Sequence, residues 1–252
     1  MIAFCIKQLP KAMILSFFVV LTVVQLPSSS YAGTLQVEPV LVDVAAPQAA
    51  ATLTLRNEGS ERINAQIRVF RWYQADGHDK YEPTDDVVAS PPAAALAPNG
   101  SYLVRIVRVT KRPVSGEESY RLIVDQLPNA KNQTGRVVNL LIRHSIPVFF
   151  AAARPKSASV SWSIERSHER LTVTANNSGE SRLRIAALNI SNAAGKTISF
   201  GNGLIGYVLG HSVINWTAPA SAIQFVAGEP VSISAQSNAG PINARASVIA
   251  GR

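Results

Sequence analysis

From Gly33 onward, apolar and polar residues alternate with a period of two along nearly every segment of the chain. Successive side chains of a β-strand point to opposite faces, so this alternation is typical of strands with one buried face. The same segments are rich in Val, Ile, Leu and Thr, and no segment shows a convincing long-helix pattern. The sequence therefore predicts an all-β protein.

Strand candidates in the first half are separated by turn signals such as Asn57-Glu58-Gly59-Ser60 and Pro98-Asn99-Gly100. Six or seven short strands at this spacing predict an immunoglobulin-like β-sandwich. The candidates are Leu35 to Val44, Ala51 to Asn57, Ile63 to Trp72, Tyr102 to Val109, Tyr120 to Leu127 and Val137 to Phe150.

The pattern breaks at Ala151-Ala152-Ala153-Arg154-Pro155, a run of small residues and a proline that suits a short interdomain linker. A second series of strands follows, with hairpin turns such as Asn192-Ala193-Ala194-Gly195. We therefore predict one sandwich over residues 33–153 and a second over residues 154–252, each long enough to bury its own core. No internal sequence repeat is evident.

Residues 1–32 predict a cleaved secretory signal. Lys7 and Lys11 give a positive start, Ala12 to Val24 is mostly apolar, and Ser30-Tyr31-Ala32 offers a small-residue cleavage site. The apolar stretch is shorter than the roughly 20 residues of a spanning helix, which argues against a membrane anchor. No later segment is apolar enough to span a bilayer, so we expect no membrane insertion of the mature chain. Cys5 is the only cysteine and leaves with the signal, which excludes a disulfide scaffold and thiol chemistry in the mature chain.

The formal net charge is +8, and +6 remains once the two signal lysines leave. A basic chain can bind nucleic acid, an anionic surface or an acidic partner. The basic residues are scattered and form neither a Lys/Arg run nor a nucleic-acid motif, so we expect no nucleic-acid binding.

Patterns for catalysis and cofactors are weak. Gly201 to Gly206 matches G-x-G-x-x-G, but no long helix or βαβ unit surrounds it, so a glycine-rich hairpin loop is the better interpretation. The four histidines lack metal-ligand spacing, and no feature brings a Ser, a His and an acid together. We therefore expect no enzyme, no cofactor and no metal, although a secreted β-sandwich enzyme remains a third alternative.

Val137 to Phe150 is the most informative strand candidate because it is long and partly apolar on both faces. Pro147 cannot donate to a ladder, which points to an edge strand or a bulge. A long apolar edge invites pairing with another chain. The patterning alone favours the alternative of an ordinary buried final strand whose apolar residues belong to its own core.

From Gly33 to about Arg154 the chain resembles the first domain of the PapD-like periplasmic chaperones of the chaperone–usher pathway. The matching stretches lie in the family's order and spacing, behind a signal peptide and before a second β-domain. They are Ser90-Pro91-Pro92, Leu96-Ala97-Pro98-Asn99-Gly100, Leu103-Val104-Arg105-Ile106, Tyr120-Arg121-Leu122, Gln126-Leu127-Pro128 and Ile146-Pro147-Val148-Phe149-Phe150.

The resemblance implies two immunoglobulin-like domains in an L-shaped arrangement, a periplasmic location and no ATP requirement. It implies that the last strand of the first domain completes a pilin subunit that lacks one strand of its own, before delivery to an outer-membrane usher. On this resemblance Val138, Leu140, Ile142 and, more weakly, Ile146 fill the pilin groove. The free protein is then expected to be a monomer, or capped by self-association of the edge strand.

The chain departs from the better-known members at the basic pair that grips the pilin's terminal carboxylate. Leu41 and Pro147 occupy those positions, which makes the chain look more like the Csu-type, archaic branch. Carboxylate binding would then move to other cations, for which Arg105, Arg121 and Arg143 are candidates. A family ion pair between strand and hinge would fall on Glu118 and Arg154. The alternative function is a structural or adhesive pilus subunit with the same kind of sandwich.

Overall fold

The computed structural model describes residues 35–128, 140–167, 170–219 and 225–251. These residues form β-strands and no helix, so the all-β prediction is confirmed, and none of them belongs to a helix that would span a bilayer. The predicted signal peptide and the start of the last first-domain strand, including Val138, lie outside the described residues.

The described residues of the first domain form ten strands in two facing sheets. One sheet has the order β1-β3-β8-β6, and the other has the order β2-β10-β9-β4-β5, with β7 also paired to β4. The strands are β1 Leu35–Glu38, β2 Val42–Ala45, β3 Ala50–Asn57, β4 Ile63–Ala75, β5 His78–Pro83, β6 Val87–Ser90, β7 Ala93–Leu96, β8 Ser101–Arg108, β9 Glu117–Leu127 and β10 Arg143–Ala151.

The inward-facing residues of both sheets form one buried cluster, as the period-two pattern predicts. Leu53 and Leu55 of β3 and Val104 and Ile106 of β8 are fully buried there. The face of the second sheet opposite this core carries Trp72 and other side chains that meet the second domain.

The strand predicted over Leu35 to Val44 is two strands that lie in different sheets. Its first part pairs with β3, whereas its second part pairs in parallel with β10. Pro39, which lies between them, follows a cis peptide bond and has no N–H to continue a ladder. The chain switches sheets at this proline, and among the described residues part of β10 has no strand neighbour on one side.

The second domain contains eight strands around its own core. Their order is β14-β13-β17-β18-β11-β12-β16, with β15 paired to β13. β18 joins the two halves because Gly240 to Ser247 pair with β17 and Val248 to Ala250 pair in parallel with β11. The strands are β11 Val160–Ser167, β12 Arg170–Asn177, β13 Leu183–Asn192, β14 Thr197–Ser199, β15 Leu204–Val208, β16 Ser212–Pro219, β17 Pro230–Ser237 and β18 Gly240–Ala250.

A buried asparagine holds the turn after β3. The Asn57 Nδ2 donates to the carbonyl oxygens of Glu61 and Ala97, at 2.7 and 3.0 Å. Its Oδ1 accepts a hydrogen bond from the backbone N–H of Gly59 at 2.9 Å. One side chain thus satisfies backbone groups of two separate segments in a place that water does not reach.

The turn after β12 repeats this construction. The Asn177 Nδ2 donates to the carbonyl oxygens of Ser181 and Leu209, at 2.8 and 3.0 Å, and its Oδ1 accepts from the N–H of Gly179 at 3.0 Å. The two domains share this Asn-x-Gly corner although their sequences show no evident repeat, because the corner needs only two residues of defined type.

Candidate functional site

The edge of β10 is open over part of its length. All nine residues of β10 pair with β9, but only Val148 to Ala151 pair with β2. Because β1 has crossed to the other sheet, Arg143 to Pro147 have no strand on that side among the described residues. Such an edge presents unpaired backbone groups to another chain.

The hydrogen-bond phase of β10 shows which backbone groups face this opening. The Gln126 N–H donates to the Ile142 carbonyl at 2.9 Å, so Ile142 directs its backbone toward β9. Antiparallel partners alternate between bonded and non-bonded pairs, so Arg143 and Ser145 direct theirs to the open side. Pro147 follows the same alternation, so its backbone also faces the open side. Its missing N–H therefore removes no hydrogen bond to β9.

The predicted groove-filling residues fall into two groups. Leu140 is 72% exposed, and Ile142 is partly exposed. Ile146 is only 4% exposed and packs in its own domain's core with Val148 and Phe150. The buried-strand interpretation therefore describes the second half of the predicted strand, and the burial of Ile146 does not support a role for it in another protein's groove.

An aromatic cluster joins the two domains beside the end of β10. Trp72 and Phe149 of the first domain meet Tyr207 of the second, with ring centroids 5.5 to 5.7 Å apart. Arginines cover two of these rings. The guanidinium carbon of Arg121 lies 3.9 Å from the Trp72 ring centroid, and that of Arg182 lies 3.6 Å from the Phe149 centroid.

Arg182 of the second domain is an ion-pair link to the first. Its guanidinium binds the carboxylates of Glu117 and Asp43, each at 2.5 Å, and its backbone N–H donates to Glu117 at 3.0 Å. Burial raises the pKa of Glu117, and the nearby Arg182 only partly opposes this effect. Gln74 adds two hydrogen bonds to the second domain, to backbone groups of β15 and the residue after it.

A cleft of about 520 Å³ opens between the two domains next to the free edge. Its walls are largely apolar, and two arginines, Arg121 and Arg184, reach it from opposite domains. Leu41 and Pro147, where the resemblance places a basic pair, both line it. The apolar lining consists of Val40, Leu41, Pro147, Ala186, Leu204 and Tyr207.

The three candidate cations lie in different surroundings. Arg121 lines the cleft, and its Nε is buried without a hydrogen-bond partner. Arg143 is ion-paired with Asp125 at the far end of β10. Arg105 is exposed on β8, in the other sheet. Arg184 was missed by the sequence analysis, since nothing local distinguishes it from other outward-facing arginines of a strand.

Two charged clusters are centred on carboxylates of β9, one near each end of the strand. Burial would raise the pKa of Asp125, but hydrogen bonds and charges from Arg143 and Arg68 outweigh it and hold the pKa below its usual value. The predicted pairing of Glu118 with Arg154 is wrong. Glu118 binds Arg108 through two bonds of 2.8 Å, because the two residues lie side by side at the edge of the sandwich core.

The glycine-rich segment at Gly201 to Gly206 leads into strand β15 rather than a helix, so its context is that of a loop. In the described part of the chain, no group of three or more His, Cys, Asp and Glu residues is arranged to hold a metal ion.

Solved structures with a similar fold include chaperones, two of them in complexes with pilus proteins. A chaperone–tip adhesin complex, CsuC–CsuE of the archaic Csu pili of Acinetobacter baumannii, has a TM-score of 0.63 and 23% identity, covering 87% of this chain and 100% of that one. The SafB chaperone with the SafA pilin of Salmonella enterica gives 0.59 and 19%, covering 86% and 98%. The CupB2 chaperone of Pseudomonas aeruginosa gives 0.55 and 17%, covering 84% and 100%.

These TM-scores establish the two-domain fold of such chaperones for this chain. A comparison with curated proteins finds no match. Residues 34–158, which include the whole first sandwich and its open edge, match the family described as "Pili and flagellar-assembly chaperone, PapD N-terminal domain". With its sandwich, cleft and half-open last strand, the chain belongs to this family of pilus-assembly chaperones.

Proposed function

We propose that this protein is a periplasmic chaperone that holds pilus subunits by donor-strand complementation and delivers them to an outer-membrane usher. The observation that carries the proposal is the open edge of β10, which continues into the exposed Leu140 and the partly exposed Ile142. A subunit that lacks a strand receives main-chain hydrogen bonds from this edge and apolar side chains from the segment before it.

The energetics suit a reversible holding complex. Full burial of an aliphatic side chain contributes about 1.5–3 kcal/mol, so Leu140 and Ile142 together supply about 3–6 kcal/mol before the cost of ordering. Val138, which lies outside the described residues, adds a third side chain of the same kind in the proposal. A subunit that offers its own strand to the same groove can then replace the chaperone without any chemical step.

Arg121 is the cation that we propose for the subunit's terminal carboxylate. It lines the cleft and has an unpaired buried Nε, whereas Arg143 already binds Asp125 and Arg105 lies in the other sheet. A guanidinium group binds a carboxylate by a charge-assisted pair of hydrogen bonds. The alternative of a structural pilus subunit has less support, because the family match and the similar folds are those of chaperones.

The test is periplasmic co-expression with subunits encoded beside this gene. Leu140→Asp and Ile142→Asp should fold normally but leave the subunit insoluble, because a buried aspartate in the groove has no partner. Leu103→Asp is the matched control, since Leu103 is 56% exposed on the opposite sheet. If both donor-segment variants keep a subunit soluble as well as the wild type does, donor-strand complementation by this segment is wrong.

A further inference from the structure

A carboxylate on β9 is shared by cations from the strands on either side. Asp125 pairs in the ladder with Arg143 of β10 and with Gln66 of β4, so it is the middle residue of a three-strand row. Its Oδ2 accepts a hydrogen bond from Arg68 of β4 at 2.6 Å, and its Oδ1 accepts one from the Nε of Arg143. The side chain of Asp125 is only 12% exposed, whereas those of Arg68 and Arg143 are 44% and 66% exposed. A nearly buried carboxylate therefore fixes two guanidinium groups that water would otherwise surround.

One of these cations is enough to compensate the charge of Asp125. Arg68 lies on β4, which pairs with β9 along this whole region, and its bond already joins these two strands. Arg143 adds a second charge-assisted bond, to the other oxygen of the same carboxylate. Two cations and one carboxylate leave an excess of one positive charge. Charge compensation therefore does not explain the bond to Arg143, and its effect on the position of Arg143 is the property to consider.

Arg143 is the first residue of β10, and its side chain is tied to β9 while its backbone faces the open edge. Ile142, just before it, accepts one backbone hydrogen bond, from the N–H of Gln126 at 2.9 Å. Leu140 and Leu141 precede the strand and are 72% and 46% exposed. The direction in which these three preceding residues leave the sheet is therefore set at Arg143.

We propose that Asp125 is a positioning residue that holds the donor segment, Leu140 to Ile142, in the direction in which it meets the client. The inference rests on the proposed function, because that function makes these residues the donor. Ordering a segment on binding costs conformational entropy, and a contact that orders it beforehand removes part of that cost. Asp125 acts through Arg143 and does not touch the client, while Arg68 keeps the carboxylate compensated.

The first measurement uses the mature chain alone. Relaxation of the backbone amide NMR signals gives the order parameters of Leu140 to Ile142 on the picosecond-to-nanosecond timescale. We expect Asp125→Asn and Arg143→Gln to lower these order parameters, because each variant weakens the contact that fixes Arg143. Arg68→Gln is the matched control. It removes a bond to the same carboxylate but lies on β4, away from the strand that the donor segment continues, so the order parameters should stay at the wild-type values.

The second measurement follows the capture of a urea-unfolded subunit, encoded beside this gene, by stopped-flow fluorescence. We expect the association rate constant to fall about 3–5-fold in Asp125→Asn and Arg143→Gln, the size of effect that an exposed ion pair supports, and to be unchanged in Arg68→Gln. The dissociation rate constant should stay at the wild-type value in all three variants, because the client itself orders the donor segment once the complex has formed. A purely structural network would lower the stability of all three variants and leave the association rate constant unchanged.

Three results overturn the proposal: Arg68→Gln loosens the donor segment as much as Asp125→Asn does, Asp125→Asn leaves the segment as ordered as in the wild type, or a loosened segment associates at the wild-type rate. If Asp125→Asn captures the subunit normally while Leu140→Asp does not, the positioning inference falls and the proposed function stands. Normal capture by Leu140→Asp as well would remove both.

Discussion

Asn57 and Asn177 show how single residues hold the corners of this fold. Each side chain is fully buried and bridges carbonyl groups of two segments that are distant in sequence. A buried backbone group that loses its only partner retains the full cost of its desolvation. The corners are therefore expected to be sensitive to replacement, although they lie far from the proposed binding surface.

We predict that Asn57→Ala and Asn177→Ala each lower the free energy of unfolding by about 1–3 kcal/mol, since each leaves buried carbonyl groups unpaired. Urea unfolding measures the effect. Asn176→Ala is the matched control, because its exposed side chain is next to Asn177, and this variant should stay within about 0.5 kcal/mol of the wild type. Equal stability of all three variants would contradict the structural role of the corner.

At the scale of the element, β10 has two environments along one strand. From Val148 to Ala151 it is a central strand with a neighbour on each side, whereas from Arg143 to Pro147 it is an edge. The sheet switch of β1 and β2 at Pro39 causes this division. A single strand can thereby be anchored in its own core at one end and offer hydrogen bonds to a client at the other.

Ser145→Pro tests directly whether a client pairs with the edge part of β10, from Arg143 to Pro147. The alternation of the ladder directs the Ser145 N–H to the open side, so proline removes a hydrogen bond to the client and none to β9. We expect thermal unfolding close to that of the wild type and at least a 10-fold loss of co-purified subunit. Ser145→Ala keeps the N–H and should bind normally. Normal binding by the proline variant would mean that the client does not pair with this edge.

At the scale of the whole molecule, Arg182 and the aromatic cluster hold the two sandwiches together. The Glu117 side chain is 5% exposed, so its charge depends on the link to Arg182. Removing one partner of a buried ion pair leaves the other charge desolvated and unpaired, which is strongly destabilising. The geometry of the cleft depends on this contact, because Arg121 and Arg184 reach it from different domains.

We predict that Arg182→Ala lowers the free energy of unfolding by about 3 kcal/mol at neutral pH and separates the unfolding of the two domains into two urea transitions. Because burial already raises the pKa of Glu117, loss of Arg182 raises it further, and folding then favours the protonated carboxyl. The deficit should therefore shrink as the pH falls from neutral toward the ordinary carboxyl value of 4.5.

Arg62→Ala is the control for this prediction. Arg62 follows Asn57 at the same spacing at which Arg182 follows Asn177, but it is exposed and forms no ion pair with the described residues. Its replacement should leave a single transition. A pH-independent deficit in Arg182→Ala would show that the lost stacking on Phe149, rather than the carboxylate, is responsible.

The alternation of residues along the chain determined the all-β class, the core faces and most strands, because side-chain direction in a strand is a local property. The same alternation did not predict where the chain stops pairing with one strand and begins to pair with another. It joined β1 and β2 across Pro39, and it did not separate the buried Ile146 from the exposed Leu140 within one predicted strand.

The sequence by itself thus determined which residues can face a core, which turns separate the strands and which family the first domain resembles. Only the tertiary structure decided which edge stays open, which arginines line the cleft and which residues of the second domain reach it. These properties depend on contacts such as that between Glu117 and Arg182, which join parts of the chain far apart in sequence. No local pattern encodes such contacts, since they exist only when the sheets and domains have packed.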